Sequence, residues 1–335
     1  MTRNVLQIRD GHGRRASYMR ISVTDRCNLR CRYCMPREAE FIPHDKILSY
    51  EEIEQLIALS SDLGITKVRL TGGEPFVRRG FTDFLKRVHG NNPGLDLRVT
   101  TNGTLLRPLL DEVAAAGVQV LNISLDTLYP GRFQALTGLD AHAEVVGAID
   151  GALAHGLRVK VNVVGLRGVN DDELGSFIRF ASERPVDVRF IEFMPMGGCV
   201  AWSPEKLWPA EDIIEEAGHH ADLEAVARSE GDQGPVRLFR LAGGLGRIGV
   251  ISPMSNHFCG SCNRLRITST GKLRTCLYSD REYRLRPILA HPRLSIEAVK
   301  QVILRAGRHK PLGYDILNHR LGGAVCSTHM SAIGG

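Results

Sequence analysis

The sequence predicts an α/β fold in which six βα units form a parallel sheet and a second, smaller region follows. Three observations support this prediction. Strand-like and helix-like segments alternate regularly from residue 17 to residue 193, polar residues follow the strands, and the alternation stops after Met194. Alternating βα units with right-handed crossovers build a parallel sheet. Such units fit an open barrel or a flat, doubly wound sheet, and the sequence alone leaves both arrangements open.

The six units can be placed in order along the chain. A capping box of Ser49 and Glu52 predicts the start of the first helix, and Gly64 predicts its end. The later helices are expected at 81–89, up to Gly117, up to Gly156 and at 171–183. The predicted strands cover residues 17–23, 67–71, 96–101, 119–125, 158–164 and 187–193.

Polar and glycine-rich residues recur where the predicted strands end. In parallel α/β folds, the carboxyl ends of the strands form the edge that binds ligands. The sequence therefore predicts one shared site at this edge. The residues concerned are the cysteine loop 27–34, the glycine-containing loop 72–75, the segment 100–103, Ser124 with Asp126, and Glu192 with Met194.

The chain after Met194 follows a different pattern. A polar linker is expected at 228–234, and a hairpin is expected across 263–277 with its turn at 269–271. We therefore expect two domains, one over residues 1–215 and one over residues 216–335. Further helices are predicted at 212–217 and 295–305, and further strands at 236–241 and 247–251.

The composition is typical of a globular intracellular enzyme. The chain has 335 residues, of which 43% are hydrophobic and 24% charged. It contains no apolar run long enough to span a membrane, and residues 1–15 lack the apolar core of a signal peptide. Six of the eight cysteines form two triplets, which is not the pattern of a disulfide framework, so a cytoplasmic location is expected. Cys199 and Cys326 stand alone, and we assign them no chemistry.

Positive charge is concentrated at the start of the chain. The net charge is +6, and nine arginines lie within residues 3–37. A basic segment of this kind suits an anionic partner, either a nucleotide phosphate or a nucleic acid. A solvated, arginine-rich surface explains the same pattern equally well.

The first triplet, Cys27, Cys31 and Cys34, is the most specific motif in the chain. Its spacing keeps three thiolates within one short loop, which suits one face of a cubane 4Fe-4S cluster and leaves one iron without a protein ligand. A zinc site would need a fourth ligand nearby, and the closest histidine, His44, lies ten residues beyond the triplet. We therefore favour a cluster with an open iron.

The second triplet, Cys259, Cys262 and Cys276, is less specific. With His257 beside it, this spacing is compatible with a zinc site of three cysteines and one histidine. This spacing, taken alone, favours zinc, and a second cluster that keeps one position open is the alternative. Arg264 and Arg266 follow Cys262 at strand spacing, so both side chains can face the same way and bind a polyanion.

Residues 18–36, with the sequence YMRISVTDRCNLRCRYCMP, carry a resemblance to a known family. The segment resembles the signature of radical S-adenosylmethionine enzymes, and in particular that of the GTP 3′,8-cyclase (MoaA) family of molybdenum cofactor biosynthesis. The second triplet and the terminal Gly334 and Gly335 extend the resemblance over nearly the whole chain. It implies an incomplete (βα)6 TIM-like radical S-adenosylmethionine barrel with a C-terminal domain that carries a second iron-sulfur cluster and binds GTP.

The resemblance also implies a reaction. Members of the family cleave S-adenosylmethionine at the first cluster and form a 5′-deoxyadenosyl radical. The radical removes the ribose 3′ hydrogen of GTP, the carbon radical attacks guanine C8, and reduction then yields 3′,8-cyclo-7,8-dihydroguanosine 5′-triphosphate. This is the first step of molybdopterin biosynthesis, and the reaction needs an enclosed site that excludes quenchers.

The resemblance assigns roles to individual residues. As the nucleotide contact, Thr101 remains an alternative to Thr100. In the tail, Ala332 stands where the family pattern has a basic residue. Two 4Fe-4S clusters are expected, one on Cys27, Cys31 and Cys34 and one on Cys259, Cys262 and Cys276. Contacts to S-adenosylmethionine are expected from Tyr33, Gly73, Ser124 and Met194. Contacts to GTP are expected from Arg20, Arg69, Thr100, Lys160, Arg264, Leu265 and Arg266. A catalytic contribution is expected from Arg20, Arg264, Arg266, Gly334 and Gly335.

The expected partners follow from the same resemblance. They are GTP, S-adenosylmethionine, an external electron donor and, as the next enzyme in the pathway, cyclic pyranopterin monophosphate synthase. A homodimer is possible, and neither a nucleic acid nor a membrane is expected. Two alternatives stay open: a radical S-adenosylmethionine enzyme acting on peptide or RNA, and a zinc-containing nucleic-acid-binding protein, against which the βα regularity argues.

Overall fold

The computed structural model describes residues 6–35, 38–196, 202–227, 234–291, 293–319, 326 and 328–334. Within this part of the chain, twelve strands form one continuous sheet. The strands are β1 (Tyr18–Ser22), β2 (Lys67–Thr71), β3 (Asp96–Thr101), β4 (Val120–Ser124), β5 (Arg158–Gly165), β6 (Asp187–Glu192), β7 (Leu223–Ala225), β8 (Val236–Leu241), β9 (Arg247–Ile251), β10 (Arg264–Ile267), β11 (Lys272–Arg274) and β12 (Tyr283–Arg284).

The helices cover the sheet and the C-terminal region. They are α1 (Tyr50–Asp62), α2 (Phe81–Asn91), α3 (Leu110–Ala115), α4 (Pro130–Thr137), α5 (His142–Ala154), α6 (Leu174–Ser182), α7 (Ala210–Gly218), α8 (Arg286–Leu289), α9 (Ile296–Arg308), α10 (Gly313–His319) and α11 (Met330–Ile333). Within the described residues, none of the helices combines the length and the apolar character that crossing a membrane requires.

The order of the strands decides between the two predicted arrangements. Strands β1 to β6 are parallel and lie side by side in sequence order. A doubly wound sheet reverses its order at a switch point, so the observed order is that of a barrel. The barrel is incomplete because β1 pairs with β10 and β6 pairs with β9, instead of closing on each other.

The six predicted βα units are confirmed, with one difference. The predicted capping box is present: Glu52 N–H donates to the Ser49 hydroxyl, and Ser49 N–H donates to the Glu52 carboxylate. The helical sequence expected before Gly156 is two helices, α4 and α5. Gly138 ends the first in a left-handed conformation, with a φ of 79°, which explains the break.

The C-terminal strands extend the barrel sheet at both edges. Strand β9 is parallel to β6, β10 is parallel to β1, and the hairpin of β10 and β11 is present as predicted. Helices α7 and α9 are longer than predicted. The predicted linker falls almost entirely on residues 228–233, outside the described residues. The division at residues 215 and 216 stays a prediction, and strands from both sides of it share one sheet.

The two faces of the barrel strands have opposite character. In β1, Met19 and Ile21 are fully buried in the hydrophobic core, whereas Arg20 lines a cavity inside the barrel. Because side chains alternate along a strand, the same division repeats in β2 and β3. The fold therefore directs apolar residues toward the helices and polar residues toward the barrel interior.

Candidate active site

Both cysteine triplets line the same cavity. The direction of the strands explains how they reach it. Cys27 follows the carboxyl end of β1, whereas Cys262 precedes the amino end of β10, which is parallel to β1. Cys276 follows β11, which runs antiparallel to β10, and so lies at the same end as Cys262. The two triplets therefore flank the barrel interior from opposite ends.

The first triplet is a group of mutually close thiols. Leu29 N–H donates to Cys27 Sγ at 3.4 Å, and the Asn102 side-chain amide donates to the same sulfur at 3.7 Å. Burial raises the pKa of Cys31 well above its usual value, and the negative charges of Asp126, Cys34 and Cys27 raise it further. Three such thiolates need a compensating positive group, which the irons of a cluster provide.

Two buried carboxylates hold the loops around this triplet. Glu74 accepts hydrogen bonds from Asn102 N–H at 2.6 Å, Thr101 Oγ1 at 2.8 Å and Phe76 N–H at 3.0 Å, and burial raises its pKa to about 7. Asp126 accepts hydrogen bonds from the Tyr33 hydroxyl and from Val164 N–H, and burial raises its pKa to about 6. The sequence placed both carboxylates near strand ends but did not indicate this supporting role.

Gly72 and Gly73 line the cavity, but only glycine fits at these positions because the chain just before the cysteine loop packs against them. A Cβ on Gly72 would lie 2.2 Å from the carbonyl oxygen of Thr24, and one on Gly73 would lie 2.3 Å from that of Arg26. Gly73 N–H also donates to Thr24 O at 2.8 Å. The sequence interpretation, a close approach to a ligand, therefore misses the main steric reason, which is close packing between two loops.

The second triplet lies in an equally tight setting. A Cβ on Gly313 would lie 3.1 Å from Cys276 Sγ and 3.4 Å from Cys259 Sγ, so the glycine leaves room beside both sulfurs. Arg14, which is 8% exposed, donates to the Cys259 carbonyl oxygen at 2.7 Å. Burial raises the pKa of Cys259, whereas the positive charges of Arg264 and Lys310 outweigh burial and lower the pKa of Cys262 to about 6.

The two donor sets fit clusters better than single ions. Among the described residues, no three His, Cys, Asp or Glu side chains converge closely enough to hold one metal ion. A cubane cluster makes a different demand, because each of its three thiolate ligands binds a different iron. Three thiols beside an open cavity meet that demand at each end of the barrel.

A row of arginines lies in the middle of four adjacent strands, and two of them, Arg20 and Arg266, line the cavity between the triplets. Strand register places Arg266, Arg20, Arg69 and Arg98 directly side by side on four adjacent strands. Arg98 binds Asp96 through two hydrogen bonds. Within the described residues, no carboxylate pairs with the other three, although Arg69 is 7% exposed and Arg266 is 5% exposed. Like charges placed side by side and buried are unfavourable unless an anion joins them.

Arg189 is a further buried cation that the sequence reasoning missed. It donates to Asn122 Oδ1 at 2.7 Å and to Asn162 Oδ1 at 2.6 Å, and burial lowers its pKa to about 10. Its Nε, like those of Arg20 and Arg69, has no hydrogen-bond partner among the described residues. A charged residue in the middle of a predicted strand, the pattern shared by Arg20, Arg69 and Lys160, is the sequence signal that identifies it.

The structure places most of the predicted ligand contacts around the cavity. Thr100 lines it with a buried hydroxyl that lacks a partner among the described residues, whereas Thr101 is bound to Glu74. Leu265 differs, since its side chain is fully buried in the hydrophobic core, and only its main chain could contact a nucleotide. The other cavity-lining predictions are Arg20, Tyr33, Gly73, Ser124, Met194, Arg264 and Arg266.

The C-terminal tail reaches the same region. Met330 and Ser331 line the cavity, and Arg266 donates a hydrogen bond to the carbonyl oxygen of Gly334. The Ala332 carbonyl accepts a hydrogen bond from Ser269 N–H at 3.2 Å. Gly335 and Cys199 lie outside the described residues, and Cys326 is buried beside Arg274, which donates to its sulfur at 2.9 Å.

Comparisons with known proteins agree with this arrangement. The Radical SAM superfamily matches residues 21–181, and Molybdenum Cofactor Synthesis C matches residues 186–316. The GTP 3′,8-cyclase of Syntrophomonas wolfei is 44% identical over 314 residues, which cover 92% of this chain and 95% of the relative. That of Thermodesulfovibrio yellowstonii is 42% identical over 309 residues, covering 91% and 95%.

A solved structure is similar in fold. Streptococcus suis SuiB, in a crystal structure with bound S-adenosylmethionine, superposes with a TM-score of 0.66 at 14% identity. The match covers 91% of this chain and 69% of that chain. At this level of identity the similarity concerns the fold alone.

The incomplete barrel, with its three-cysteine loop at the carboxyl end of β1, defines a radical S-adenosylmethionine enzyme. Such an enzyme uses S-adenosylmethionine and a 4Fe-4S cluster. The identity shared with curated relatives over nine-tenths of both chains shows, more narrowly, that the chain belongs to the GTP 3′,8-cyclase family.

We predict that Gly73→Ala disrupts the first cluster. The added methyl would collide with the Arg26 carbonyl and displace the cysteine loop, so iron per chain should fall by about four atoms. Gly90→Ala is the matched control, because a Cβ there meets no atom within 4 Å. Iron analysis of both variants after anaerobic purification checks the prediction. Full iron content in Gly73→Ala would show that the loops tolerate the collision.

Proposed function

We propose that this protein is a GTP 3′,8-cyclase that converts GTP to 3′,8-cyclo-7,8-dihydroguanosine 5′-triphosphate, the first step of molybdenum cofactor biosynthesis. The observation that carries the proposal is that three neighbours in the arginine row, Arg266, Arg20 and Arg69, have no carboxylate partner among the described residues. A triphosphate supplies several negative charges in the spacing that such a row can bind. Family membership then selects GTP among the possible triphosphates.

At the carboxyl end of the barrel, Cys27, Cys31 and Cys34 would hold the first cluster. Gly73, Ser124 and Met194 line the adjoining space, which suits the methionyl and adenosyl parts of S-adenosylmethionine. Together, the bound cluster and S-adenosylmethionine supply a 5′-deoxyadenosyl radical. Tyr33 donates to Asp126 and so fixes the cysteine loop, which suits a positioning role beside the cofactor.

At the opposite end, Cys259, Cys262 and Cys276 would hold a second 4Fe-4S cluster, which would offer the guanine of GTP a binding site. The support is the shared cavity and the room that Gly313 leaves beside two of the sulfurs. Zinc remains the alternative ion for this triplet. With the two donor sets at opposite ends, a nucleotide bound between them would lie in the path of the radical.

The phosphates of GTP would lie against the arginine row. Arg20, Arg69 and Arg266 offer fork-shaped donors side by side, and Thr100 offers a hydroxyl that has no partner among the residues the structure describes. Lys160, Arg264 and the main chain of Leu265 are further contacts in this proposal. Arg189 is a further contact because it is buried and its Nε has no partner within the same residues.

The tail would complete the enclosure. Gly334 packs within the barrel end so closely that a Cβ on it would lie 2.3 Å from the Thr71 side chain. In this proposal Gly334 and Gly335 close the site against water, which preserves a reactive carbon radical. The proposal also retains a cytoplasmic location, an external electron donor, cyclic pyranopterin monophosphate synthase as the next enzyme, a possible homodimer, and the domains 1–215 and 216–335.

The direct test is turnover by the reconstituted protein with GTP, S-adenosylmethionine and dithionite under anaerobic conditions. We expect the cyclised nucleotide and one 5′-deoxyadenosine per product. In Arg69→Met the KM for GTP should rise by about tenfold to a hundredfold, because a charged hydrogen bond to phosphate is lost. Arg87→Met, which removes a half-exposed arginine paired with Glu54, is the control. Cleavage of S-adenosylmethionine without any cyclised nucleotide would refute the proposed substrate.

The affinity for GTP should also depend on pH through Lys160. Burial is the largest cause that lowers the pKa of this lysine, to about 7. Only the protonated form attracts phosphate, so affinity should fall by up to about tenfold per pH unit as pH rises above 7. Lys160→Arg should flatten this dependence, because arginine stays charged. Anaerobic equilibrium dialysis of both proteins decides. Identical pH profiles would mean that Lys160 does not contact the phosphates.

A further inference from the structure

Lys310 is a buried lysine that connects the two chain segments carrying Cys262 and Cys276 of the second triplet. It is 4% exposed, and its ammonium donates to the Arg264 carbonyl at 2.8 Å and to the Thr275 carbonyl at 2.5 Å. Arg264 lies two residues after Cys262, and Thr275 directly precedes Cys276. The ammonium therefore lies between the chain segments that present two of the three sulfurs.

The charge of this lysine has no carboxylate partner within the described part of the chain. The negative groups beside it are the thiolates of Cys262 and Cys276, and its cationic neighbours are Arg14 and Arg264. A buried ammonium is costly unless an anion accompanies it. Two main-chain carbonyls satisfy part of its hydrogen bonding, but only the thiolates balance its charge.

The first triplet has different surroundings. The buried carboxyl groups of Glu74 and Asp126 lie beside it, and Arg30, a partly exposed cation, lies beside Cys27. The fold thus places buried carboxyl groups beside one set of thiolates and a buried cation beside the other. Net charge, burial and hydrogen bonding near a cluster set its reduction potential, so this difference has an electronic consequence.

We propose that Lys310 is a positioning residue for the second cluster. Lys310 holds together the two chain segments that carry Cys262 and Cys276, and its charge stabilises the reduced form of the cluster. The inference rests on the second cluster of the proposed function. The couple concerned takes up one electron, supplied in the experiment by dithionite through mediators. A nearby buried cation favours the more negative, reduced form and therefore raises the potential.

The test compares wild type, Lys310→Met and Lys310→Gln in anaerobic redox titrations followed by electron paramagnetic resonance. Gln keeps a hydrogen-bond donor but loses the charge. In both variants the ratio of reduced to oxidised second cluster should fall about tenfold or more at a fixed potential, a shift of about 59 mV for one electron. The first cluster serves as the internal reference and should not change.

Lys300→Met is the matched control. Lys300 lies in the same C-terminal region and pairs with Asp62 at the surface. Its substitution removes the same charge, and both clusters should titrate as in wild type. A third variant, Lys310→Arg, keeps the charge and should keep the wild-type potential.

The outcomes separate this inference from the function on which it rests. If wild type contains only about four irons per chain, the second cluster does not exist, and the proposed site fails independently of Lys310. About eight irons with an unchanged potential in Lys310→Gln would overturn the role of Lys310 alone. If both neutral variants lose the second cluster, its retention in Lys310→Arg supports the proposal, and its loss there as well contradicts it.

Discussion

Buried positive charge inside an incomplete barrel is the main constraint on this structure and on the ligand that it can bind. Parallel pairing of β10, β1, β2 and β3 aligns Arg266, Arg20, Arg69 and Arg98, and only Arg98 has a carboxylate partner among the described residues. Such an arrangement lowers the stability of the free protein, because desolvated like charges repel each other. A bound polyanion reverses the sign of the interaction. The arginines that lower the stability of the free protein therefore favour the binding of a polyphosphate.

The gap between β1 and β6 explains how the second cysteine triplet comes to line the same cavity as the first. Because β1 and β6 do not pair, β10 can join the edge of β1 and bring Cys262 to the amino end of the strands. The first triplet stays at the carboxyl end, as in other parallel α/β folds. A closed barrel would offer a site at one end only, whereas this one is flanked by cysteines at both ends. The two ends differ in charge, with the carboxyl group of Asp126 near Cys31 and the cations Arg264 and Lys310 near Cys262.

Local sequence patterns predicted the elements well, and long-range pairing lay beyond them. The bounds of β2, β3, β8 and β9 match the predicted strands, because alternation and flanking turns are local signals. The choice of barrel depended on which strands become neighbours, and the position of Cys262 depended on β10 pairing with β1. The same limit applies to single residues: the side chain of Leu265 faces the core instead of a nucleotide, and the partners of Lys310 are distant in sequence. Arg189 is different, because its charge in the middle of a predicted strand is a local signal.

Two separate clusters, one on each triplet at either end of a common site, would leave a clear signature in the metal content. Iron and sulfide analysis of wild type, Cys27→Ala and Cys259→Ala after anaerobic reconstitution measures it. We expect about eight irons in wild type and about four in each variant, with the remaining cluster spectroscopically distinct between the two variants. Zinc bound to the second triplet, or one substitution that removes all the iron while the other removes none, would contradict it.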